Sequence, residues 1–352
     1  MRYSFTIAPA SRHMDAIIQQ HIDGKTKPQG ALGQLERVAA QLARIQASLN
    51  IQLGPLHHLV FAADHGVCAQ GVSPYPSEVT RQMVTNFCNG GAAINVFCRQ
   101  QDINMTVVDA GIRGDSLPPH PNLLDHRIAE GTADFTAEPA MTPEQCLSAV
   151  EFGAELARMK LAEGSSVLSF GEMGIGNTTA GAALMAACLK IPPHDCVGRG
   201  TGANDAMLVH KAEVVEQALV RHRDQLTSGA AIMQHLGGLE LAMMAGAMAA
   251  TAEVGKVILV DGFLASTALL TLWRDHPAIL DYCVFSHLSV EKAHHSLLLE
   301  LDVEPLLQLD LRLGEGSGAV LAWPLVQAAA AFFNDMASFA DAGVSEQAPD
   351  EA

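Results

Sequence analysis

The sequence predicts an α/β fold, in which a parallel, Rossmann-like sheet carries helices on both faces and the chain termini add a small helical domain. Three observations support this fold class. Short apolar runs end repeatedly in polar, glycine-containing loops. Helical stretches lie between these runs, as in parallel sheets. Aromatic residues make up only 5% of the chain, which suits tight packing of helices on a sheet.

Three helical stretches near the chain ends have no strand partner. Apolar periodicity predicts helices around Arg12–His21 and Leu32–Ser48, and the composition predicts an alanine-rich helix over Ser317–Ala342. A length of 352 residues fits one large domain or two modest ones. We therefore expect a small helical domain made of residues 1–55 and 320–352, and a large α/β domain over residues 56–319.

Five apolar runs predict buried strands that lead into polar loops. Ligands of parallel sheets bind at the carboxyl ends of the strands, so the Asp, Glu, Ser and Gly residues that end these runs are expected to gather there. The five runs are Leu56–Gly66, Ile103–Gly111, Ser165–Thr179, Lys256–Phe263 and Asp281–Ser289.

The charge balance restricts the class of ligand. Lys and Arg number 21 against 38 Asp and Glu, which gives a formal charge of −17. Such a surface repels a phosphate backbone, so nucleic acid is not expected as a partner. An anionic ligand must then be held locally, by backbone N–H groups, helix N-termini and a few cations.

Cysteine usage and hydropathy indicate the compartment. The seven cysteines are odd in number and contain no C-x-x-C spacing, so reduced thiols in a cytoplasmic protein are expected. The N-terminus lacks the apolar run of a signal peptide. The most apolar stretch, Leu239–Thr251, is too short to span a bilayer, so no membrane partner is expected.

The segment Gly171–Thr179 predicts an anion site. A strand enters a turn with three glycines and a helix follows, so backbone N–H groups at the helix start can approach a ligand closely. It is neither a Walker A loop, since no Lys follows the last glycine, nor a complete dinucleotide fingerprint, since Thr179 occupies the third glycine position. A tight strand–helix turn without a ligand stays open as an alternative.

A second glycine-rich segment, Gly198–Asp205, leads into a helix that carries Lys211. Asn204 or Asp205 is suited to cap this helix. Lys211 lies about two turns inside it, so it could reach a phosphate only from a neighbouring element. A solvated surface lysine is the alternative.

A third segment, Leu313–Ala319, places Glu315 between glycines just before an apolar helix. In an apolar site, burial would raise the pKa of Glu315 and make it a useful general base. The alternative is an ordinary carboxylate that answers the dipole of a helix N-terminus.

Two other catalytic patterns are weak. Asp64 and His65 are adjacent, but no second close ligand or H-E-x-x-H motif accompanies them, so no metal site is expected. Gly316–Ser317–Gly318 has only the centre of a nucleophile elbow, without a strand at the right distance.

With these segments in place, the sequence resembles the nicotinate-nucleotide–dimethylbenzimidazole phosphoribosyltransferase family, which makes α-ribazole phosphate for the lower ligand of cobalamin. The resemblance runs from Lys27 to Ala319 and keeps the order of the family's motifs. The motifs are KPQGALGQLE, VFAADHGV, NGGAAIN, GEMGIGNTT, GRGTG, VDGF, HLSVE and RLGEGSGA.

The resemblance implies the reaction. Nicotinate mononucleotide and 5,6-dimethylbenzimidazole would give α-ribazole 5′-phosphate and nicotinate, with inversion at the anomeric carbon and without a metal or other cofactor. Glu315 matches the family's catalytic base, and Glu172 matches a second, supporting carboxylate. The family also implies a homodimer.

The resemblance further implies two binding regions. The benzimidazole would lie in an apolar slot flanked by Tyr75, Ser77, Gln82, Met173 and Leu313. The nucleotide phosphate and ribose would be held by Gly174, Gly176, Asn177, Gly202, Lys211, Asp261, Gly262 and Ser289.

Three other functions remain as alternatives. A nucleotide-binding dehydrogenase would need a complete fingerprint and an acidic residue at a strand end, but Asp195 follows a loop. A metal-dependent hydrolase would use Asp64, His65 and Asp109. A non-catalytic nucleotide-binding relative is disfavoured by the glycine-flanked carboxylates Glu172 and Glu315.

Overall fold

The computed structural model describes residues 2–200 and 202–345. Within these residues the chain forms one six-stranded sheet and fourteen helices. The strands are Leu56–Ala63 (β1), Asn104–Gly111 (β2), Leu123–Asp125 (β3), Val167–Met173 (β4), Val257–Val260 (β5) and Cys283–Phe285 (β6).

The helices cover most of the remaining chain. Short 3-10 helices at Gly66–Gln70 and Pro277–Tyr282 supplement them. The α-helices are Asp15–Asp23 (α1), Gln34–Gln46 (α2), Glu78–Cys88 (α3), Ala93–Gln100 (α4), Pro143–Ala162 (α5), Asn177–Leu189 (α6), Pro193–Cys196 (α7), Asp205–His222 (α8), Gly229–Leu236 (α9), Leu239–Glu253 (α10), Phe263–Asp275 (α11), Lys292–Glu300 (α12), Ser317–Asp335 (α13) and Phe339–Ala342 (α14).

The strand order is β3-β2-β1-β4-β5-β6, and every neighbouring pair is parallel. This is the order of a doubly wound Rossmann-like sheet, so the predicted fold class is confirmed. The strand order reverses between β1 and β4, where such sheets open a crevice for ligands. The sequence prediction missed β3 because three residues after a proline-rich loop are too few for a recognisable apolar run.

Side chains alternate between the two faces of the sheet and feed two cores. Leu59 and Phe61 of β1 point into the first core, whereas Val60 and Ala62 point into the second. Helices α5 to α12 supply the first core. Helices α1 to α4 and α13 supply the second. Both faces are thus covered, as the near-continuous apolar strands require.

Helix α10 is buried along almost its whole length and crosses α5 at unusually close range. A Cβ atom added at Gly153 of α5 would strike the carbonyl of Met243, and one added at Gly246 of α10 would strike the carbonyl of Val150. The two glycines therefore let the helix backbones touch. This contact seats α10 flat against the first face of the sheet.

The terminal helices pack together on the second face. Helix α2 lies between α1 and α13. The predicted helix over Ser317–Ala342 is not continuous, because it ends at Asp335 and Met336 adopts an extended conformation before α14. The division into a small domain of residues 1–55 with 320–352 and a large domain stays a prediction.

One described helix, α13, is long and apolar enough to cross a membrane by length and composition alone. In the structure it lies on the sheet, and 56% of its most apolar window is buried inside the protein. All seven cysteines are free thiols, five of them buried.

Candidate active site

A cleft opens at the carboxyl ends of β4, β5 and β6. It encloses about 1000 Å³, with its open mouth included. Ten of the residues predicted for the site line it together: Glu172, Met173, Gly174, Gly176, Asn177, Lys211, Asp261, Gly262, Ser289 and Leu313.

The loop after β4 forms one end of the cleft and leads into α6. Gly176 caps this helix with φ +96°, a conformation that favours glycine. The Ile175 N–H donates to Thr80 Oγ1 at 3.1 Å, which ties the loop to α3. The N–H groups of Gly176 and Thr178 have no acceptor among the described residues. The start of α6 is therefore ready to receive an anion.

Lys211 brings a cation to the start of α6 from the neighbouring helix α8. Its Nζ donates to Thr178 Oγ1 at 2.9 Å and to the Gly198 carbonyl at 3.2 Å. Only 2% of the residue is exposed, so the surface-lysine alternative is wrong. Burial lowers the pKa of Lys211 to about 8, against the opposing effect of the Glu291 carboxylate. An anion here would restore full charge to the lysine.

The second glycine-rich segment forms the rim above Lys211. Arg199, Gly200 and Ala203 line the cleft, whereas Gly202 does not and its N–H donates to the Arg199 carbonyl. Glu291 Oε1 accepts a hydrogen bond from the Gly200 N–H at 2.6 Å. The predicted cap of α8 is confirmed at Asn204, whose side chain accepts from the Met207 N–H.

Glu172 is the buried carboxylate on the floor of the cleft. The Asn177 side-chain amide donates to its Oε2. Burial, together with the nearby carboxylates of Glu240, Asp261 and Glu315, raises the pKa of Glu172 to about 8, against the opposing effect of the Asn177 hydrogen bond. This carboxyl therefore carries a proton through much of the neutral range.

Glu315 lies beside Glu172, although its own side chain is not part of the cleft wall. Its neighbour Gly314 lines the cleft, and a Cβ atom at Gly314 would strike Glu172 Oε1. Glu315 is 5% exposed, and its Oε2 accepts a hydrogen bond from the Ile94 N–H at 3.2 Å. The Glu315 carboxylate therefore interacts with the N-terminus of α4 rather than with that of α13, the helix that follows Glu315 in the chain.

The charge state of Glu315 reflects this position. Burial raises the pKa of Glu315, the Ile94 hydrogen bond opposes the rise, and the Asp261 carboxylate adds to it. A carboxylate with a raised pKa is a better proton acceptor than an exposed one.

Asp261, at the end of β5, connects the cleft to the start of α13. Its Oδ1 accepts a hydrogen bond from the Ala319 N–H at 2.9 Å. The same oxygen lies 3.6 Å from His287 Nε2. Burial raises the pKa of Asp261, against the opposing effects of His287 and the backbone N–H groups. The Asp261 carboxylate thus caps the N-terminus of α13, the helix that follows Glu315.

The predicted benzimidazole residues divide into two groups. Met173 and Leu313 line the cleft. Tyr75 and Gln82 are exposed and Ser77 is half-buried, and none of these three lines it. The same loop reaches the cleft slightly earlier in the chain, through Val72, Ser73 and Pro74.

Other cleft residues escaped the sequence reasoning. His287 lies two positions before Ser289, so the HLS motif was the only signal for it. Phe263, Glu291 and Arg312 fall within the quoted motifs VDGF, HLSVE and RLGEGSGA but were not assigned to the site. No sequence signal marked Leu264 and Ala265, which reach the cleft from the start of α11.

The residues of the metal-hydrolase alternative have other partners. Asp64 Oδ2 accepts from the Arg113 N–H, and His65 pairs with the buried Glu240 carboxylate at 2.6 Å. The Asp109 carboxylate accepts from backbone N–H groups and contacts Arg127. Among the described residues no three His, Cys, Asp or Glu side chains gather as a metal site.

The fold and the cleft define a Rossmann-like nucleotide-binding protein, with an anion-receiving helix start and buried carboxylates in one crevice. A family model described as phosphoribosyltransferase matches residues 7–344. The chain belongs to the nicotinate-nucleotide–dimethylbenzimidazole phosphoribosyltransferase family, as the resemblance in sequence motifs implied.

Individual relatives agree with this assignment. A protein of that name from Cupriavidus taiwanensis is 52% identical over 343 residues, which cover 97% of this chain and 99% of the relative. One from Dechloromonas aromatica is 49% identical and covers 98% of this chain and 99% of its own. The crystal structure of CobT from Thermus thermophilus matches with a TM-score of 0.91 and 46% identity, and covers 95% of this chain and 99% of its own.

Proposed function

We propose that this chain transfers 5-phosphoribose from nicotinate mononucleotide to 5,6-dimethylbenzimidazole, giving α-ribazole 5′-phosphate and nicotinate for the lower ligand of cobalamin. The names of relatives that are about half identical over nearly the full chain support the assignment. One structural observation carries it. A single cleft joins the buried Lys211 at the start of α6 to the buried carboxyl of Glu172.

The nucleotide phosphate would bind at the Lys211 end. The unpaired N–H groups at the start of α6, the Lys211 ammonium and the hydroxyl of Thr178 supply donors for a dianion. The predicted contacts are Gly174, Gly176, Asn177, Gly202, Lys211 and Ser289. Asp261 and Gly262, at the end of β5, would hold the ribose.

The chemistry balances without an added acid. One azole nitrogen attacks C1′ of the ribose while the bond from C1′ to the pyridinium nitrogen breaks. The electron pair of that bond returns to the pyridinium nitrogen, so nicotinate leaves with an uncharged ring nitrogen. Attack on the face opposite the leaving group converts the β configuration into α.

The second azole nitrogen must lose its proton as the new bond forms. We assign this proton to Glu315, the base, whose raised pKa suits proton acceptance. Glu172 has a pKa of about 8 and is largely protonated at neutral pH, so it supports the reaction as a hydrogen-bonding group rather than as the first base. Met173 and Leu313 would contact the apolar faces of the azole, with Tyr75, Ser77 and Gln82 further out.

Three further statements stand as proposals. The protein would act as a homodimer whose terminal helices form the small domain. It would be cytoplasmic, in line with its free thiols. It would require no metal or other cofactor.

The direct test mixes purified protein with nicotinate mononucleotide and measures nicotinate with and without 5,6-dimethylbenzimidazole. Nicotinate release that requires the second base, together with an α-configured product by NMR, is the expected result. Release without the base would indicate a hydrolase instead. Absence of release in both conditions would refute the proposal.

A further inference from the structure

A buried histidine lies directly beneath the loop that carries Glu315. His58 of β1 and Ser169 of β4 are paired residues of neighbouring strands, and both are completely buried. His58 Nδ1 lies 2.7 Å from Ser169 Oγ. His58 Nε2 lies 2.9 Å from the carbonyl oxygen of Glu315, which is 257 positions away in the chain. The His58 side chain therefore links β1 and β4 to the Glu315 backbone by hydrogen bonds.

The chemistry of the partners fixes the form of the ring. A carbonyl oxygen only accepts, so His58 Nε2 must carry the hydrogen. Nδ1 is then the acceptor for the Ser169 hydroxyl. Burial lowers the pKa of His58 to about 4, which agrees with a neutral ring that has one donor and one acceptor.

The loop above His58 is strained and needs external support. Gly314, Glu315 and Gly316 are consecutive and all left-handed, with φ values of +80°, +63° and +79°. The left-handed region is strained for a non-glycine residue, so Glu315 keeps this conformation only where its surroundings hold it. His58 supplies the hydrogen bond that holds the Glu315 peptide in this conformation.

Two glycines make room for this contact. A Cβ atom at Gly316 would strike the His58 ring, and one at Gly171 of β4 would strike the Glu315 carbonyl. The loop therefore lies directly on the sheet at this point. Any rotation of the Glu315 peptide would break the His58 hydrogen bond and move the carboxylate.

We propose that His58 is a positioning residue for the transfer reaction: it clamps the backbone of Glu315 and thereby directs the base toward the incoming azole. The role rests on the proposed function of Glu315 as the base. His58 touches neither the cleft nor the reacting atoms, so it acts only through Glu315.

The test compares His58→Leu with His58→Gln. Leucine fills the buried space without a donor, whereas the glutamine amide can place an N–H near the position of Nε2. His58→Leu should lower kcat about 10- to 100-fold, the scale expected for a catalytic group misplaced by about 1 Å. KM for nicotinate mononucleotide should stay unchanged, and His58→Gln should recover most of the lost kcat.

His57→Leu is the matched control. His57 is the adjacent residue of β1, is 8% exposed, and bonds to Thr106 Oγ1 rather than to the loop. This variant loses a buried histidine from the same strand and should lower stability with kcat intact. A folded His58→Leu protein with wild-type kcat would overturn the proposal.

A mutant cycle separates positioning from general damage. In a Glu315→Gln background, His58→Leu should cause no further fall in kcat, because the group it positions is already removed. An equal fall in both backgrounds would overturn the proposal. Absence of transfer activity in the wild-type protein would instead refute the proposed function.

One readout does not need activity or a folded variant. In wild-type protein labelled with ¹⁵N-histidine, the His58 ring should be the neutral Nε2–H form at pH 6. The opposite tautomer, with no hydrogen on Nε2, would contradict the hydrogen bond to the Glu315 carbonyl and with it the clamp.

Discussion

The loops Gly174–Gly176 and Gly314–Gly316 share a glycine-x-glycine sequence but differ in backbone and in what surrounds them, since only Gly176 of the first loop is left-handed, against all three residues of the second. Each ends in a left-handed glycine that caps a long helix, Gly176 before α6 and Gly316 before α13. At the first loop the helix start is open and Lys211 faces it. At the second, the Asp261 carboxylate already occupies the helix start.

The difference shows that a glycine loop before a helix does not by itself define an anion site. A helix N-terminus attracts negative charge in both places. In the second loop the protein's own carboxylate satisfies that attraction, so no phosphate is needed there. Because the Asp261 carboxylate occupies the start of α13, the Glu315 side chain turns instead to the start of α4, and burial raises its pKa. One loop is thus suited to binding and the other to proton transfer.

Glu315→Gln should give the largest effect: a loss of proton transfer at the Gly314–Gly316 loop without a loss of nucleotide binding. The amide keeps the size of the side chain but cannot accept a proton, so kcat should fall about 10²- to 10⁴-fold, the usual range for a general base. The dissociation constant of nicotinate mononucleotide, measured by calorimetry, should stay within about twofold because the phosphate site is untouched. A strong loss of nucleotide affinity would mean that the two loops do not divide binding from chemistry.

Lys211→Met should weaken nucleotide binding at the Gly174–Gly176 loop without a comparable loss in the transfer step. Hydrogen bonds to charged groups contribute roughly 1.5–3 kcal/mol, so the dissociation constant of nicotinate mononucleotide should rise about 10- to 100-fold. The value of kcat at saturating nucleotide should change much less.

The control for Lys211→Met is Lys25→Met. Lys25 is also a buried lysine, 4% exposed, but its Nζ bonds to the Met336 carbonyl at the terminal helices. This change should lower the melting temperature without weakening nucleotide binding. Equal losses of affinity in both variants would contradict a specific role for Lys211.

The smallest expected effect is the pH dependence of nucleotide binding at the Gly174–Gly176 loop. Lys211 in the free protein has a pKa of about 8, so it is charged below that pH and neutral above it. A bound phosphate raises this pKa, so binding above pH 8 requires proton uptake and affinity falls as pH rises. From pH 7 to 9, where the phosphate stays dianionic, the dissociation constant should increase about tenfold.

Glu172 ionises in the same pH range, because its pKa is also about 8, and its negative charge would oppose the nucleotide as well. Titration calorimetry on Glu172→Gln and Lys211→Met separates the two groups. The tenfold fall in affinity with rising pH should persist in Glu172→Gln, whereas Lys211→Met should retain only the part that the Glu172 carboxylate causes. Equal slopes in wild-type protein and Lys211→Met would assign the effect elsewhere.

The parts of the fold that the sequence could predict follow from local pattern. Long apolar runs such as Leu56–Ala63 identify buried strands, and their polar ends indicate the ligand edge of the sheet. The short β3 strand escaped because its pairing with β2, rather than its own sequence, makes it a strand. The break of the last helix at Met336 escaped because the residues around it keep a helical composition.

The candidate site was likewise predictable only where local sequence pattern marks its residues. Glycines and carboxylates beside strand ends were visible, and Glu172 and Asp261 indeed meet in one cleft. The burial of Lys211 was not visible, because it depends on how α8 packs beside α6. The contact of His58 with the Glu315 loop was also hidden, since a histidine within an apolar strand carries no signal until the distant Glu315 peptide is placed above it.

The contact between α5 and α10 limits how far this sequence can be diversified. Gly153 and Gly246 each face a carbonyl of the opposite helix with no room for a methyl group. A combinatorial library over the two helices would therefore return glycine at both positions, even where other buried sites accept exchanges of similar volume. Redesign of this scaffold for a new acceptor base has its freedom in the cleft loops, while this helix crossing stays fixed.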